Sequence, residues 1–314
     1  MAERTLVTGA LGCLGAWTLK ALLDLGEEPV GFDLGADDAR LRLVLSDEER
    51  ARVTLVEGDV TDLNAVGAAL DDHDVTNVVH LAALQVPFVR ADPERGARVN
   101  VHGTVVVLEA IKKRLNRIRG LAYASSSAVY NASDHSPAPE SGGHEPATLY
   151  GVFKLANEGT ARVYWHEDDV ASIGIRPYVV YGAGRDQGLT SGPSLAMEAA
   201  ARGDGYTIAY GGTAQYDFAP DVGRALALAA RSATDGAHVA NFPGVPSTMQ
   251  EVVDAIEASA PAVAGRIFWE EGQLPFPEAL EGRQLERLIG PITPTLLVDG
   301  VRATIEHFCA AAAS

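Results

Sequence analysis

Two residues, Tyr150 and Lys154, stand at a spacing that allows them to move a proton together. They are four residues apart in a segment, 150–167, whose pattern predicts a helix, so both side chains lie on one helix face. An ammonium next to a phenol is expected to stabilise the phenolate and to lower its pKa from about 10 toward the range of a general base. Ser126, at the end of a predicted strand, could hydrogen-bond the same substrate oxygen. The three residues together predict proton transfer to or from a secondary alcohol.

A glycine-rich turn near the N-terminus predicts a phosphate-binding site. Residues 4–8 have the composition of a buried strand, and Gly9, Gly12 and Gly15 follow at three-residue spacing before a helix that begins near Leu14. Glycines allow a tight strand-to-helix turn and let the backbone approach a pyrophosphate, toward which the helix directs its N-terminal N–H groups. This arrangement is typical of a dinucleotide site.

An acidic residue after the second predicted strand favours NAD over NADP. The strand 29–32 ends at Asp33, roughly 20 residues beyond the glycines, where a carboxylate can accept hydrogen bonds from both hydroxyls of an adenosine ribose. The same carboxylate would repel a 2′-phosphate. Arg40 and Arg42 could fold back toward this position, but we interpret them as solvated helix charges.

Alternating strand and helix patterns predict an α/β fold with a Rossmann-type doubly wound parallel sheet. The further predicted strands are 53–57, 75–81, 120–125 and 171–176, and the predicted helices are 62–70, 93–115 and 150–167. Beyond Gly182 the elements become shorter and richer in Gly and Pro, which indicates a smaller, interleaved C-terminal substrate lobe. We therefore expect an NAD-binding Rossmann domain at 1–180, rejoined by about 217–242, and a mainly substrate-binding lobe at 181–314.

Composition narrows the classes of partner. The chain has 314 residues, 47% of them apolar, and a formal net charge of −17, so neither nucleic acid nor an anionic membrane is an expected partner. No apolar run approaches the roughly 20 residues of a membrane span, and the first strand begins too early for a signal peptide, so we expect a cytoplasmic protein. Cys13 and Cys309 are the only cysteines and lack neighbouring ligands, so neither a disulfide framework nor a metal site is predicted.

Seven ordered segments together resemble the extended short-chain dehydrogenases/reductases, in the branch of the NAD-dependent epimerases and dehydratases. They are TGALGCLG at 8–15, Asp59 with Val60, HLAA at 80–83, Asn100, SSSAVY at 125–130, YGVFK at 150–154 and RPYVVYGAG at 176–184. The resemblance implies that Tyr150 is the general base or acid, that Lys154 lowers its pKa and holds the nicotinamide ribose, and that Ser126 polarises the reacting oxygen. Ser127 is the alternative for the last role.

The motifs, together with loops that could face the substrate, give two sets of candidate binding residues. The NAD-binding set is Gly9, Gly12, Leu14, Gly15, Asp33, Leu34, Asp59, Val60, Leu81, Ala82, Ala83, Asn100, Ser125, Tyr150, Lys154, Pro177 and Tyr178. The substrate-binding set is Gln85, Ser126, Ser127, Tyr150, Val179, Arg185 and Tyr216. Simpler interpretations stay open for some of them: Asp59 could cap the next helix, Asn100 could satisfy buried backbone in its own helix and Ser125 could fill a strand. His80 is expected to be a hydrogen-bonded core residue.

Departures from the family pattern bear on the substrate. Val179 and Tyr216 stand where nucleotide-sugar members usually carry an Asn and an Arg, and a neutral pocket binds a diphosphate poorly. Ser127 and Ala128 stand where dehydratases carry an Asp–Glu pair. We therefore predict an NAD-dependent oxidoreductase or redox epimerase that acts on a secondary hydroxyl of a carbohydrate-like substrate, with a free sugar, sugar acid or polyol favoured over a nucleotide sugar.

Two alternatives remain at this point. One is a UDP-sugar 4-epimerase with an atypical diphosphate pocket, and the other, from a different class, is a non-catalytic NAD-sensing protein. The intact Ser126, Tyr150 and Lys154 set argues against the second, since a sensor needs no tuned phenol. The resemblance also implies a homodimer, because helices such as 100–115 and 149–167 pair between subunits across much of this family.

Overall fold

The computed structural model describes residues 3–141, 144–232 and 234–313, and its strands and helices alternate as the sequence predicts. The strands are β1 (Thr5–Thr8), β2 (Val30–Asp33), β3 (Thr54–Glu57), β4 (Asn77–His80), β5 (Gly120–Ala124), β6 (Ser172–Arg176), β7 (Val179–Tyr181), β8 (Tyr206–Ile208), β9 (Thr213–Phe218), β10 (Ala237–Asn241), β11 (Val245–Thr248) and β12 (Ile267–Trp269). The helices are α1 (Cys13–Asp24), α2 (Ala39–Val44), α3 (Asp47–Ala51), α4 (Leu63–Asp72), α5 (Val86–Ala91), α6 (Pro93–Ala97), α7 (Gly103–Lys112), α8 (Leu149–Asp168), α9 (Gly192–Ala201), α10 (Ala219–Arg231), α11 (Met249–Ser259), α12 (Gln284–Ile289) and α13 (Leu297–Ala313).

A seven-stranded sheet in the order β10-β6-β5-β4-β1-β2-β3 forms the centre, and all of its neighbouring strands run parallel. Apolar side chains of α1, α2 and α10 cover one face of the sheet, and those of α4 and α7 cover the other. The predicted doubly wound Rossmann-type sheet is confirmed. Its strand order reverses between β1 and β4, and in such sheets the ligand lies beyond the carboxyl ends of the strands at that reversal.

The second half of the chain builds the smaller lobe but also returns to the sheet. β7, β9 and β11 form a three-stranded sheet, β8 and β12 a two-stranded one, and both pack with α9, α11 and α13 around a separate apolar core. α10 packs against α1, and β10 pairs with β6. The two halves are thus interleaved in space, whereas the division of the chain at residue 180 stays a prediction.

One predicted helix differs from the structure in a way that concerns the site. The segment predicted as a single helix at 93–115 forms α6, a π-helical turn at Arg98–His102, and then α7. Asn100 lies in this turn and hydrogen-bonds backbone outside its own helix. Widened turns of this kind frequently occur at functional sites, and no local propensity marks them in a sequence.

Candidate active site

The glycine turn between β1 and α1 is packed so closely that side chains would not fit. Gly9 has φ +71°, and a Cβ there would lie 2.7 Å from the backbone N of Ala82. A Cβ on Gly15 would lie 2.2 Å from the carbonyl oxygen of Gly9. α1 begins one residue earlier than predicted, at Cys13, and no side chain caps its first N–H groups. Free N–H groups at a helix start are the donors that bind an anion, so this turn fits a pyrophosphate.

Asp33 lies at the carboxyl end of β2, as predicted, at the edge of the same cleft. Its carboxylate accepts hydrogen bonds from the backbone N of Leu11 at 2.9 Å and of Leu34 at 2.8 Å. These two bonds fix the carboxylate beside the glycine turn while leaving it partly exposed. A fixed and accessible carboxylate can accept hydrogen bonds from ribose hydroxyls.

Arg40 differs from the sequence interpretation, which treated it as a solvated helix charge. Its guanidinium donates to the carbonyl oxygen of Leu11 at 3.2 Å and pairs with Asp186 at 2.8 Å. It therefore joins the glycine turn to a loop 146 residues away, a contact that no local pattern could predict. Arg42 does match the interpretation, since its side chain is 55% exposed and pairs with Asp38 on the surface.

The loop after β4 forms the floor of the cleft. Thr8 Oγ1 accepts from the backbone N of Leu81 and Ala82 and hydrogen-bonds His80 Nδ1 at 2.8 Å. Burial lowers the pKa of His80 to about 3, with the charge of Lys154 acting in the same direction, so the imidazole is neutral. His80 is a hydrogen-bonded core residue, as expected.

Asn100 supports this floor from behind. Its Oδ1 accepts from the backbone N of Leu84 at 2.7 Å and its Nδ2 donates to the Leu84 carbonyl oxygen at 2.9 Å. The side chain is buried and does not line the cleft. Asn100 therefore satisfies backbone of a distant loop instead of backbone in its own helix, and its side chain does not reach the cleft.

The predicted catalytic residues Ser126, Tyr150 and Lys154 meet in one cleft of about 730 Å³. Thr148 Oγ1 accepts from the backbone N of Gly151 and so caps α8, which places Tyr150 in the first turn of that helix. Lys154 Nζ lies 5.6 Å from the centroid of the Tyr150 ring and donates to the Ala124 carbonyl oxygen at 2.6 Å. The Ser126 side chain acts to lower the pKa of the Tyr150 hydroxyl. A phenol, a hydroxyl and a cation thus surround one point at the end of β5.

Two side chains oppose the effect of burial on the acidity of the Tyr150 phenol. Burial raises its pKa, and the opposing effects come from the charge of Arg185 and the hydrogen bond with Ser126. Lys154 is turned to the Ala124 carbonyl instead, and burial lowers its own pKa to about 8 while Glu158 acts to raise it. The role of Lys154 in lowering the pKa of Tyr150 stays a prediction.

A buried ion pair lies behind Lys154. Glu158, one turn further along α8, accepts from Arg176 Nε at 2.8 Å and Nη2 at 2.7 Å, and both side chains are almost fully buried. Ser125 Oγ also donates to this carboxylate, so Ser125 is more than strand filler. The pair fixes the end of β6 against α8 and places a negative charge near Lys154.

The lobe contributes the other wall of the cleft. Pro177, Tyr178 and Val179 line it, and Asp217 holds this segment by accepting from the backbone N of Tyr178 at 2.6 Å. Tyr216 does not line the cleft, so the predicted substrate contact is absent here. Tyr216 is 3% exposed and its ring packs at 6.5 Å from the Tyr181 ring, because a neutral aromatic side chain can be buried in the lobe core without a counter-ion.

Apart from Asn100 and Tyr216, every predicted site residue lines this one cleft. The shared lining consists of Gly9, Gly12, Leu14, Gly15, Asp33, Leu34, Asp59, Val60, Leu81, Ala82, Ala83, Gln85, Ser125, Ser126, Ser127, Tyr150, Lys154, Pro177, Tyr178, Val179 and Arg185. Among the lining residues that were not predicted are Thr190 and Phe276, which come from segments without a recognisable motif. Within the described ranges, no group of His, Cys, Asp and Glu could hold a metal ion. In the same ranges, no helix is long and apolar enough to cross a bilayer.

Comparisons with known proteins agree with this geometry. A sequence profile of the NAD-dependent epimerase/dehydratase family matches residues 5–242. UDP-glucose 4-epimerase of Mycolicibacterium smegmatis is 29% identical, over 97% of this chain and 98% of that protein. UDP-glucuronate 4-epimerase 6 of Arabidopsis thaliana is 34% identical, but the match covers 56% of this chain and 39% of that protein. The crystal structure of Thermus thermophilus UDP-glucose 4-epimerase in complex with NAD superposes with a TM-score of 0.82, at 25% identity over 98% of this chain and 100% of that chain.

The fold and the cleft define a dinucleotide-binding α/β enzyme of the short-chain dehydrogenase/reductase type. The chain belongs to the NAD-dependent epimerase/dehydratase family, as the profile match over most of its length shows. NAD is accordingly the cofactor, in agreement with the sequence prediction. The uncapped start of α1, the glycine turn without room for a Cβ and the fixed Asp33 carboxylate fit this dinucleotide. The chain spans about two fifths of the length of the Arabidopsis relatives that it matches.

Proposed function

We propose that the chain is an NAD-dependent redox epimerase that inverts a secondary hydroxyl of a nucleotide-linked sugar. The observation that carries the proposal is the meeting of Ser126, Tyr150 and Lys154 in the cleft that begins at the glycine turn. The near full-length similarity to a UDP-glucose 4-epimerase supports the nucleotide-linked substrate. Ser127 and Ala128, in place of an acidic pair after Ser126, argue against dehydration.

We assign the following roles to residues of this chain. Ser126 orients the reacting oxygen, and Tyr150 Oη takes the hydroxyl proton and later returns it to the same oxygen. NAD, when bound, supplies the chemistry of reversible hydride transfer. Lys154, held by the Ala124 carbonyl, would hold the nicotinamide ribose, while Asp33 would hold the adenosine ribose. Asp59 and Val60 would meet the adenine, and Pro177 and Tyr178 would flank the nicotinamide.

A second candidate is a dehydrogenase of a free sugar or sugar acid that releases its ketone product. The observation in its favour is the neutral wall of the cleft at Val179 and the burial of Tyr216 away from it. A diphosphate buried against neutral side chains loses the charge-assisted hydrogen bonds that supply much of its affinity. The two candidates share the proton-transfer residues and differ in the substrate and in the fate of the reduced cofactor.

The experiment that separates them begins with the cofactor. Purified protein is denatured and the released nicotinamide nucleotide is measured, and the folded protein is then given UDP-galactose, UDP-glucuronate, galactose and glucuronate. An epimerase converts a UDP-sugar into its epimer without added NAD, whereas a dehydrogenase forms stoichiometric NADH from a free sugar. A protein that binds NAD and converts none of the four would contradict both candidates.

The role of Tyr150 is tested by Tyr150→Phe, which removes only the hydroxyl. We expect NAD retention to be unchanged and turnover to fall by about 10²-fold or more, the usual contribution of a positioned acid–base group. Tyr164→Phe is the matched control, because its hydroxyl lies on the same helix and hydrogen-bonds Glu109 outside the cleft. Near wild-type turnover by Tyr150→Phe would remove Tyr150 from the mechanism.

We also propose a homodimer and a cytoplasmic location. Leu149, Val152 and Val163 expose 49%, 44% and 45% of their surface along α8, and apolar residues exposed on one helix favour burial against a second copy. Light scattering at known concentration tests the dimer, and Val163→Glu should shift the equilibrium toward monomer. Fractionation of the source cells tests the location.

A further inference from the structure

A tight turn of the lobe, residues 182–186, reaches the cofactor-binding half directly after β7. We call this segment the strap. Its base is held by the lobe, because Gly182 N donates to Ser194 Oγ of α9 at 3.1 Å. Arg185 N closes the turn on the Gly182 carbonyl oxygen at 3.1 Å, and Gly184 has φ +83°, a backbone conformation that favours glycine. The strap therefore has a fixed shape and belongs to the lobe.

The strap contacts the cofactor-binding half on two sides of the glycine turn. On one side, the Ala183 carbonyl oxygen accepts from Trp17 Nε1, in α1, at 2.9 Å. On the other side, the Asp186 carboxylate accepts from Arg40 Nε at 3.1 Å and from Arg40 Nη2 at 2.8 Å. Arg40 Nη1 also donates to the carbonyl oxygen of Leu11, within the glycine turn, at 3.2 Å. One guanidinium thus joins the strap to the glycine turn.

The strap spans the part of the cleft that fits the pyrophosphate. Gly12, Cys13 and Leu14 line the cleft at the start of α1, where no side chain caps the free N–H groups. Gly184 and Asp186 of the strap line the same cleft. The contacts of the strap run from α1 on one side to α2 on the other, so they bridge the cleft at these N–H groups. An anion bound at the start of α1 would thus be enclosed by the lobe as well as by the glycine turn.

We propose that the Arg40–Asp186 ion pair fastens the strap over the bound cofactor and so sets how fast NAD leaves the protein. The inference goes beyond the proposed function and does not depend on it, because it concerns NAD and not the sugar. The two side chains are 25% and 46% exposed, so water can replace their contact and the strap can open. Since the pair joins two protein groups, breaking it should speed the release and the uptake of NAD alike and change the affinity less than either rate.

The rate of NAD release tests the strap. NAD-loaded protein is mixed with an excess of a fluorescent NAD analogue, and the exchange is followed in the absence of sugar. Asp186→Asn should release NAD about fivefold faster, the upper end for an exposed ion pair. Arg40→Gln should release it faster still, because the hydrogen bond to Leu11 is lost as well. Arg42→Gln is the matched control and should release NAD as the wild type does, because Arg42 also lies on α2 but pairs with Asp38 on the surface.

The same variants distinguish a fastener from a residue that contacts the cofactor. If Arg40 acted on NAD alone, Asp186→Asn would free its guanidinium and leave release unchanged or slower, and either result would overturn the proposal. The double variant Arg40→Gln with Asp186→Asn should release NAD no faster than Arg40→Gln, because the pair is already broken. Effects that multiply in the double variant would show that the two residues act independently and would refute the ion pair as the fastener.

A disulfide tests the strap without the ion pair. A Cβ on Gly184 would lie 3.8 Å from Arg40 Cβ, a distance typical of disulfides. The variant Arg40→Cys with Gly184→Cys, which also carries Cys13→Ser because Cys13 lines the same cleft, is loaded with NAD and then oxidised. The oxidised form should release NAD more slowly than the wild type, and the reduced form faster. Both forms carry the same strain at residue 184, so equal rates would overturn the proposal. If this variant does not fold or oxidise, the release rate of Asp186→Asn decides.

Sugar conversion separates this inference from the proposed function. If the wild type converts no sugar while NAD release still depends on Asp186, the strap is supported and the epimerase proposal fails. If the wild type converts a UDP-sugar while Asp186→Asn releases NAD at the wild-type rate, the proposed function stands and the strap is refuted.

Discussion

Replacing Glu158 with glutamine should reduce stability and shift the pH dependence of turnover through two different contacts. The Glu158 carboxylate accepts from Arg176 at 2.7 and 2.8 Å inside the protein, with 7% and 3% of the two side chains exposed. Glutamine has nearly the same shape but no charge, and its amide N–H₂ would face guanidinium donors. The variant therefore leaves Arg176 charged and without a counter-ion.

The loss of stability follows from the burial of the pair. Removing one partner of a buried ion pair typically costs about 3–5 kcal/mol. Arg176 keeps hydrogen bonds to Tyr130 Oη at 2.7 Å and to the Glu140 carbonyl oxygen at 3.1 Å, so we expect the lower end, about 3 kcal/mol. Glu198→Gln removes one of the two acidic partners of the exposed Arg202 and should cost less than about 0.5 kcal/mol.

The shift in pH dependence follows from the neighbouring lysine. Burial lowers the pKa of Lys154 to about 8, and the charge of Glu158 acts to raise it. Without that charge the pKa should fall further, by about one unit, as expected when a nearby opposite charge is removed. Activity that requires the ammonium should decline in the wild type as pH rises through about 8, and in Glu158→Gln at a lower pH.

Urea unfolding and the pH profile of kcat/KM measure the two effects separately. The double variant Glu158→Gln with Arg176→Met should regain much of the stability, since both buried charges are gone. The alkaline limb of its pH profile should stay shifted to lower pH, because Glu158 is still absent. The reasoning is refuted if Glu158→Gln is as stable as Glu198→Gln. It is equally refuted if the alkaline limb of the single variant coincides with that of the wild type.

Two further predictions concern the cofactor. Gly15→Ala places a Cβ 2.2 Å from the Gly9 carbonyl oxygen, so the turn must shift at a cost of about 1–3 kcal/mol and NAD retention should fall about tenfold or more. Gly159→Ala on α8, where the added Cβ meets nothing within 4 Å, should retain NAD normally, and equal retention by both variants would contradict the close-packed turn. Asp33→Ser removes the carboxylate that the backbone N–H groups of Leu11 and Leu34 hold in place. The ratio of NAD affinity to NADP affinity, measured by titrating the cofactor-free protein, should therefore decrease. An unchanged ratio would show that Asp33 does not select the cofactor.

Local sequence patterns were sufficient for the parts of the fold and site that depend on neighbours in the chain. The period of the apolar residues predicted the strands of the parallel sheet, and the glycine spacing predicted the turn before α1. The four-residue spacing of Tyr150 and Lys154 placed both on α8. In each case the controlling interaction spans a few residues, so the pattern and the geometry coincide.

The parts that the sequence did not predict depend on contacts between distant segments. The salt bridge between Arg40 and Asp186 and the burial of Tyr216 are set by how the lobe lies against the sheet. The π-helical turn that interrupts the predicted helix 93–115 carries Asn100, and the Asn100 side chain hydrogen-bonds a distant loop at Leu84. α5 was also not predicted, although Pro87 in its first turn is a helix-start signal.

The loop that carries Arg185 connects these distant contacts to the chemistry. Trp17 Nε1 donates to the Ala183 carbonyl oxygen at 2.9 Å, and Asp186 pairs with Arg40, so the loop is held on both sides of Arg185 by the cofactor-binding half. Burial raises the pKa of Tyr150, and Arg185 opposes that rise only while its charge is not neutralised. The cation that opposes the rise is thus positioned in the cleft by contacts with residues that lie far away in the chain.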